Sequence, residues 1–203
     1  MSDFNSYKAG VDLSVLRDEC FAHGTIVHFN KGEHFARRGR MLSCWGIVVS
    51  GSFKYVMTDS EGNLHIVGFV FDDDIVGDFL SLVGQRPVIA DIISVTDADV
   101  MVCDVSVVAN MFAAAPELRI ALADGLFRQA YDLYLELHLK SPKERYEALL
   151  RRFPKILQYI SLREMSSYLC ITPTHLSRIR HELTFGGKEM KNLSGVKENL
   201  FGS

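Results

Sequence analysis

Ile160-Ser161-Leu162-Arg163-Glu164-Met165-Ser166-Ser167-Tyr168-Leu169-Cys170-Ile171-Thr172-Pro173-Thr174-His175-Leu176-Ser177-Arg178-Ile179-Arg180-His181-Glu182-Leu183 is the stretch from which the rest of the chain becomes readable. Ser161 with Glu164 three residues later is a capping box: the hydroxyl takes an orphaned N–H, and the carboxylate reaches back to the amide of the cap residue. A helix therefore begins at Leu162 and runs to about Leu169. Cys170-Ile171 make a tight turn, Thr172 caps a second helix, and Pro173 takes its first position, where a missing N–H costs nothing. Helix, short turn, helix is the helix-turn-helix layout. Met165, Leu169, Ile171, Leu176, Ile179 and Leu183 form its apolar inner side, which locks the pair onto the preceding helix. Within about 100° of arc on the other side of the second helix stand Thr174, Ser177, Arg178 and His181, suited to base edges and phosphates in a DNA major groove. His175 and His181 have no partners at metal spacing and read as solvated or phosphate-facing. The alternative for these residues is an αα-hairpin whose polar face meets only water.

Upstream, Ser141-Pro142 separates a short helix, Lys143 to Arg152, from a long one that starts at Pro116 and runs to about Lys140, roughly 36 Å. Successive 100° steps place Leu122, Leu126, Ala130, Leu133 and Leu137 beside Phe127, Tyr131 and Tyr134, an apolar face about 180° wide. Asp124, Arg128, Asp132, Glu136 and Lys140 fill the rest. A helix on one sheet needs a stripe of only about 100°, so this one has two neighbours: its own β domain and a partner subunit, with Leu122, Leu126, Ala130, Leu133 and Leu137 as the expected dimer contacts. A helix wedged between two domains of one monomer is the alternative.

From Thr25 to Val105 short Val-, Ile- and Phe-rich strands alternate with turns: Thr25-Phe29, Cys44-Val49, Phe53-Met57, Leu64-Phe71, Val88-Val95 and Val100-Val105. That spacing gives a sandwich or barrel, not βαβ units. The 203 residues carry a net charge of −3, divided unevenly. Residues 1–140 hold 11 Lys and Arg against 19 Asp and Glu, and residues 141–203 hold 11 against 6. A basic part carried by an acidic one suits a nucleic-acid regulator. Cys20, Cys44, Cys103 and Cys170 lie far apart and read as buried reduced thiols. With no apolar run of spanning length and no signal-peptide layout at the start, the expectation is a soluble cytoplasmic protein without membrane contact.

The order of a β-rich domain, one long helix and a helix-turn-helix resembles the Crp/Fnr family of bacterial transcription regulators. Lys31-Gly32-Glu33-His34-Phe35 with Gly39 resembles its early turn, and Trp45-Gly46-Ile47-Val48-Val49-Ser50-Gly51-Ser52 one of its strand-and-turn signatures. Asp74-Ile75-Val76-Gly77-Asp78-Phe79 resembles the opening of its phosphate-binding cassette, Ala115-Pro116-Glu117-Leu118 the start of its dimerisation helix, and Ser141-Pro142-Lys143-Glu144-Arg145-Tyr146 with Leu149-Leu150 the first helix of its DNA-binding domain.

The resemblance implies an α+β protein: an N-terminal double-stranded β-helix (jelly roll) of the cyclic-nucleotide-binding type over 1–115, a dimerisation helix over 116–140, and a winged-helix-like helix-turn-helix over 141–183 that lacks a recognisable wing. A basic tail follows over 184–203. It further implies a homodimer on near-palindromic double-stranded DNA, contacts to RNA polymerase, and a small-molecule effector. Arg163, Thr172, Pro173, Thr174, His175, Ser177, Arg178 and His181 fall on the DNA side. Gly77, Asp78, Phe79, Arg86, Val88, Ile89 and Tyr134 fall at the effector pocket, although Asp78 reads equally well as a turn cap.

Cyclic AMP does not suit this pocket. Val88-Ile89-Ala90 occupy the place of the family's Arg-Ser-Ala, Arg86 stands two residues too early, and Leu133 and Tyr134 replace the purine-reading polar pair. A phosphate buried against Val and Ile stays unpaired at a cost of several kcal/mol. No iron-sulfur cluster is expected, because Cys20 stands alone; His28, His34 and His65 are haem ligands by residue type only. An enzyme on a jelly roll, such as a cupin, needs clustered histidines that this chain lacks, so no enzyme and no metal site is expected. The rival that remains is a sensor or scaffold that kept the roll without DNA binding.

Overall fold

Residues 4–8 and 12–184 are described by the computed structural model of the chain. The six expected stretches form strands and two short ones, β2 and β6, join them, so that the described residues hold, in chain order, β1 (Thr25–Phe29), β2 (His34–Ala36), β3 (Cys44–Ser50), β4 (Phe53–Thr58), β5 (Leu64–Val70), β6 (Ile75–Val76), β7 (Asp91–Ser94) and β8 (Ala98–Asp104). They make two antiparallel four-stranded sheets, ordered β1-β8-β3-β6 and β2-β7-β4-β5. Pairing distant strands in this way wraps the chain into a roll.

Alternation along β3 and β8 assigns each side chain to one of two cores. Val48 and Val100 point between the sheets, where they meet Phe35, Phe53, Val70, Val76, Val88 and Ile92. Trp45, Ile47, Met101 and Cys103 point the other way, onto helices. The β3–β4 turn needs Gly51: at φ +94 a Cβ would stand 2.6 Å from both Ala98 Cβ and the Asp97 carbonyl.

Those helices are α1 (Ser14–His23), α3 (Val105–Ala114) and α4 (Pro116–Leu139); α2 (Phe79–Gly84) interrupts the roll between β6 and β7. Leu16 and Cys20, one turn apart, fix α1 to the second core, as Val108 and Phe112 fix α3 and Leu122 fixes α4. Pro116 at its first turn and Glu117 behind it start α4 as the sequence implies. Then α5 (Pro142–Arg152) begins with a capping box in which Ser141 and Glu144 bond each other's amides.

The first compact unit ends at Ile160, so α5 and the 3-10 turn Ile156–Gln158 belong to the same unit as the roll, twenty residues beyond the boundary read from the Ser141-Pro142 break. The second unit starts at Ser161 and contains α6 (Leu162–Tyr168) and helical residues 173–184, here α7. The basic tail expected over 184–203, where no wing was recognised, falls, apart from residue 184, outside the described residues. Among the described residues no single helix is long and apolar enough to cross a membrane. Cys20 and Cys103 are buried as expected, but Cys44 is only half-buried and Cys170 is exposed, because its turn puts the side chain outward.

Candidate functional site

The first unit holds a cavity of about 300 Å³ bounded by β4, β5, β6, α2 and the inner face of α4. Space exists there because three wall positions are Gly68, Gly77 and Ala90. Tyr55 lies opposite Gly68 across the β4–β5 ladder, and its hydroxyl donates to the Gly77 carbonyl at 2.7 Å and accepts from the Gly77 amide at 3.3 Å. Burial holds the Tyr55 phenol above its ordinary range, so it stays neutral. Asp78 both lines the cavity and caps α2, accepting from the Ser81 amide at 3.1 Å and the Ile89 amide at 3.2 Å. Met57, Val67, Phe69, Val70, Ile75, Phe79, Leu82, Leu122 and Leu126 supply the apolar remainder.

Residues 4–8 complete the wall as a strap, which the sequence reading did not anticipate. Asn5 donates to the Phe69 carbonyl (2.9 Å) and the Asp74 carboxylate (3.0 Å), and its own oxygen accepts from Gln129 Nε2 on α4 (3.2 Å). Gln129 Oε1 in turn accepts from the Tyr7 amide at 3.0 Å. Lys8 forms an ion pair with buried Asp74, and Tyr7 is buried with its phenol pushed up, first by desolvation and then by Asp74. Phe4 meets Phe71 edge-on at 5.2 Å, with the Arg152 guanidinium 5.2 Å from its ring. One signal was available: Gln129 is a polar residue among leucines on the inner face of α4.

Of the residues expected at an effector pocket, Gly77, Asp78, Phe79 and Ile89 line the cavity, whereas Arg86, Val88 and Tyr134 do not. Val88 is buried between the sheets, Arg86 is exposed and folds back on Gly84, and Tyr134 lies on the outer face of α4. The two faces of α4 also differ from the expected dimer row. Leu122 is buried in the helix-side core and Leu126 packs against it, because the roll takes the face that the Leu122–Leu126 spacing presents. Ala130 and Leu137 are exposed and Leu133 is half-buried. Facing outward is an aromatic ridge of Phe127, Tyr131 and Tyr134, with successive rings stacked at 5.9 and 6.5 Å and Tyr134 against His138 at 4.5 Å.

In the second unit Ser161 and Glu164 bond each other's amides at 3.2 and 2.9 Å, and Thr172 Oγ1 accepts from the His175 amide at 3.2 Å. The turn closes with Cys170 in the left-handed region at φ 55 and the Ile171 amide on the Ser166 carbonyl at 3.0 Å. Met165, Leu169, Leu176 and Ile179 are buried, Ile171 is half-buried, and Leu183 is exposed near the end of α7 instead of joining the inner side. Arg163, Thr172, Pro173, Thr174, His175, Ser177, Arg178 and His181 are all exposed. Among the described residues no three His, Cys, Asp or Glu side chains gather at metal-binding distance. His28 pairs with Asp99 and His65 with Asp59 at the surface, and His34 lies outside the cavity.

Residues 26–115 match the cyclic nucleotide-binding domain. The fold of the chain is similar to that of FixK2 from Bradyrhizobium japonicum, with a TM-score of 0.72 at 20% identity over 81% of this chain and 86% of that one. It is also similar to a Crp/Fnr-family transcriptional regulator from Eubacterium rectale (0.64, 15%, 85% and 84%) and to the catabolite activator protein of Thermus thermophilus (0.54, 19%, 90% and 88%). No curated protein matches the sequence. Among its described lining residues the cavity has no Lys, Arg or His. Its one carboxylate, Asp78, is spent on backbone amides.

Proposed function

We propose that the chain is a cytoplasmic, homodimeric, sequence-specific DNA-binding regulator of transcription of the Crp/Fnr type, not an enzyme, with the roll as its effector-sensing domain and α6–turn–α7 as its helix-turn-helix. One observation carries this reading: Thr174, Ser177, Arg178 and His181 are exposed on a helix whose Leu176 and Ile179 are buried, so the polar row is presented outward. Thr174, Ser177 and Arg178 read base edges, Arg178 foremost. Arg163, Thr172, Pro173, His175 and His181 lie toward phosphates, and RNA polymerase is the partner on the promoter. The similarity to regulators such as FixK2 supports the same assignment.

Selection from a randomised duplex pool, followed by titration at several salt concentrations, tests it. A dimer should return a near-palindrome with half-sites about 34 Å apart and an affinity that falls linearly on a log–log salt plot. Arg178→Ala should flatten preference at one base pair per half-site, a discrimination of about 1–3 kcal/mol, whereas Thr172→Ala should lose about 1 kcal/mol of capping with the consensus unchanged. A pool that enriches nothing and binding that ignores salt would leave the roll as a sensor or scaffold without DNA.

A further inference from the structure

The polar side chains of Tyr55, Asn5, Gln129 and Asp78 on the wall of the roll's cavity each have partners inside the protein. Tyr55 is bound to both polar atoms of Gly77, Asn5 to Phe69, Asp74 and Gln129, Gln129 to Tyr7 and Asn5, and Asp78 to the amides of Ser81 and Ile89. An entering charged molecule would lose its hydration and meet no Lys, Arg or His on the described wall in return. An anion would also face the Asp78 carboxylate with no cation on the described wall. What the wall does offer is apolar surface, from Phe69, Phe79, Leu82, Leu122, Leu126 and Met57.

The size of the space narrows the class. An apolar cavity of about 150 Å³ holds one benzene ring, so one of about 300 Å³ holds roughly twelve non-hydrogen atoms. We infer that this cavity binds a small, uncharged and largely apolar molecule about the size of a fused bicyclic ring, and that nucleotides and other anions are not its ligands. The inference rests on reading the roll as an effector-sensing domain, but not on DNA binding. Gln129 gives such a molecule a route to α4: it holds the strap on one side of the cavity and stands on the helix whose Leu122 and Leu126 form another wall.

Calorimetry on the full chain at neutral pH tests this with 2-naphthol, 2-naphthoate, which carries a carboxylate on the same ring system, and cyclic AMP. The expected result is saturable binding of 2-naphthol, with 2-naphthoate and cyclic AMP at least tenfold weaker. Gly68→Leu fills the cavity, since a Cβ at that site meets the Tyr55 ring at an ordinary 3.5 Å, and should weaken 2-naphthol at least tenfold. Ile89→Trp narrows the rim at a residue that is 49% exposed, where folding is not at stake, and should act in the same direction. Met57→Arg adds the missing cation and should raise 2-naphthoate affinity at least tenfold. The inference is overturned by absence of saturable heat with 2-naphthol, by equal or tighter binding of either anion to the wild type, by 2-naphthol affinity that neither filling variant changes, or by a Met57→Arg protein that still ignores 2-naphthoate. Failure of the DNA selection alone would remove the regulator reading and leave this result standing.

Discussion

Asp74 is fully buried, and burial raises its carboxyl above the ordinary carboxylate range in spite of Lys8, Asn5 and the Phe71 amide, which all favour the charged form. The folded state therefore holds this proton more tightly than the unfolded chain. The stability linked to it is complete below the unfolded value of 3.8 and is lost as pH rises through the raised folded value. Asp74→Asn, which cannot ionise, should remove that loss. Melting temperatures taken stepwise from acid to neutral pH should converge as pH falls and separate as it rises, with the variant declining less. Parallel curves would show that Asp74 does not titrate as described. Using the difference between the two proteins removes the opposite slope from Asp59 and Asp99, whose carboxyls His65 and His28 hold low by hydrogen bonding. Sequence could not single out this residue, because in Asp72-Asp73-Asp74 three identical side chains stand together and only the strap decides which one leaves water. The caps Ser161 and Thr172 were legible because both donor and acceptor lie within four residues of each other.

At the level of elements, α4 is a helix with two apolar faces of different character. Its inner face is aliphatic and closes the roll; its outer face carries Phe127 at 68% exposure, Tyr134 at 57%, Ile120 at 56% and Tyr131 at 51%. Aromatic side chains exposed in a continuous row mark an interface. In the proposed homodimer Tyr131→Asp should therefore weaken self-association by about 2 kcal/mol or more, roughly thirtyfold, with little change in melting temperature. Leu122→Asp should instead unfold the roll. Sedimentation velocity and circular dichroism separate the two outcomes, and a wild-type chain that sediments as a monomer at micromolar concentration would refute the assignment. The breadth of the apolar face was legible from helical periodicity. Which flank the roll takes was not, since a wheel gives angles around an axis and no direction to the sheet. The same limit hid β6, a strand of two residues, and α1, whose buried positions are only Leu16 and Cys20.

Across the whole molecule, the strap joins parts that are remote in sequence. Phe4 packs on Phe69, Phe71 and Phe153 at centroid distances of 6.0, 5.2 and 6.3 Å, while Asn5 and Tyr7 bond Gln129. Phe4→Ala should cost about 3 kcal/mol, which for a chain of this length lowers the melting temperature by roughly 6–12 °C. A shift under 2 °C by calorimetry, about 1 kcal/mol or less on the same scale, would mean the strap is ornamental to stability. These contacts were illegible because nothing near Phe4 in the sequence is its partner. The strap also carries a consequence for synthesis. A ribosome adds about 5–20 residues per second, so roughly 150 residues, or some 7–30 seconds, separate the making of Phe4 from that of Phe153. Residues 4–8 are thus made before the roll they strap, and until Phe153 emerges the ring of Phe4 lacks one of its final neighbours, open to any chaperone that surveys nascent chains.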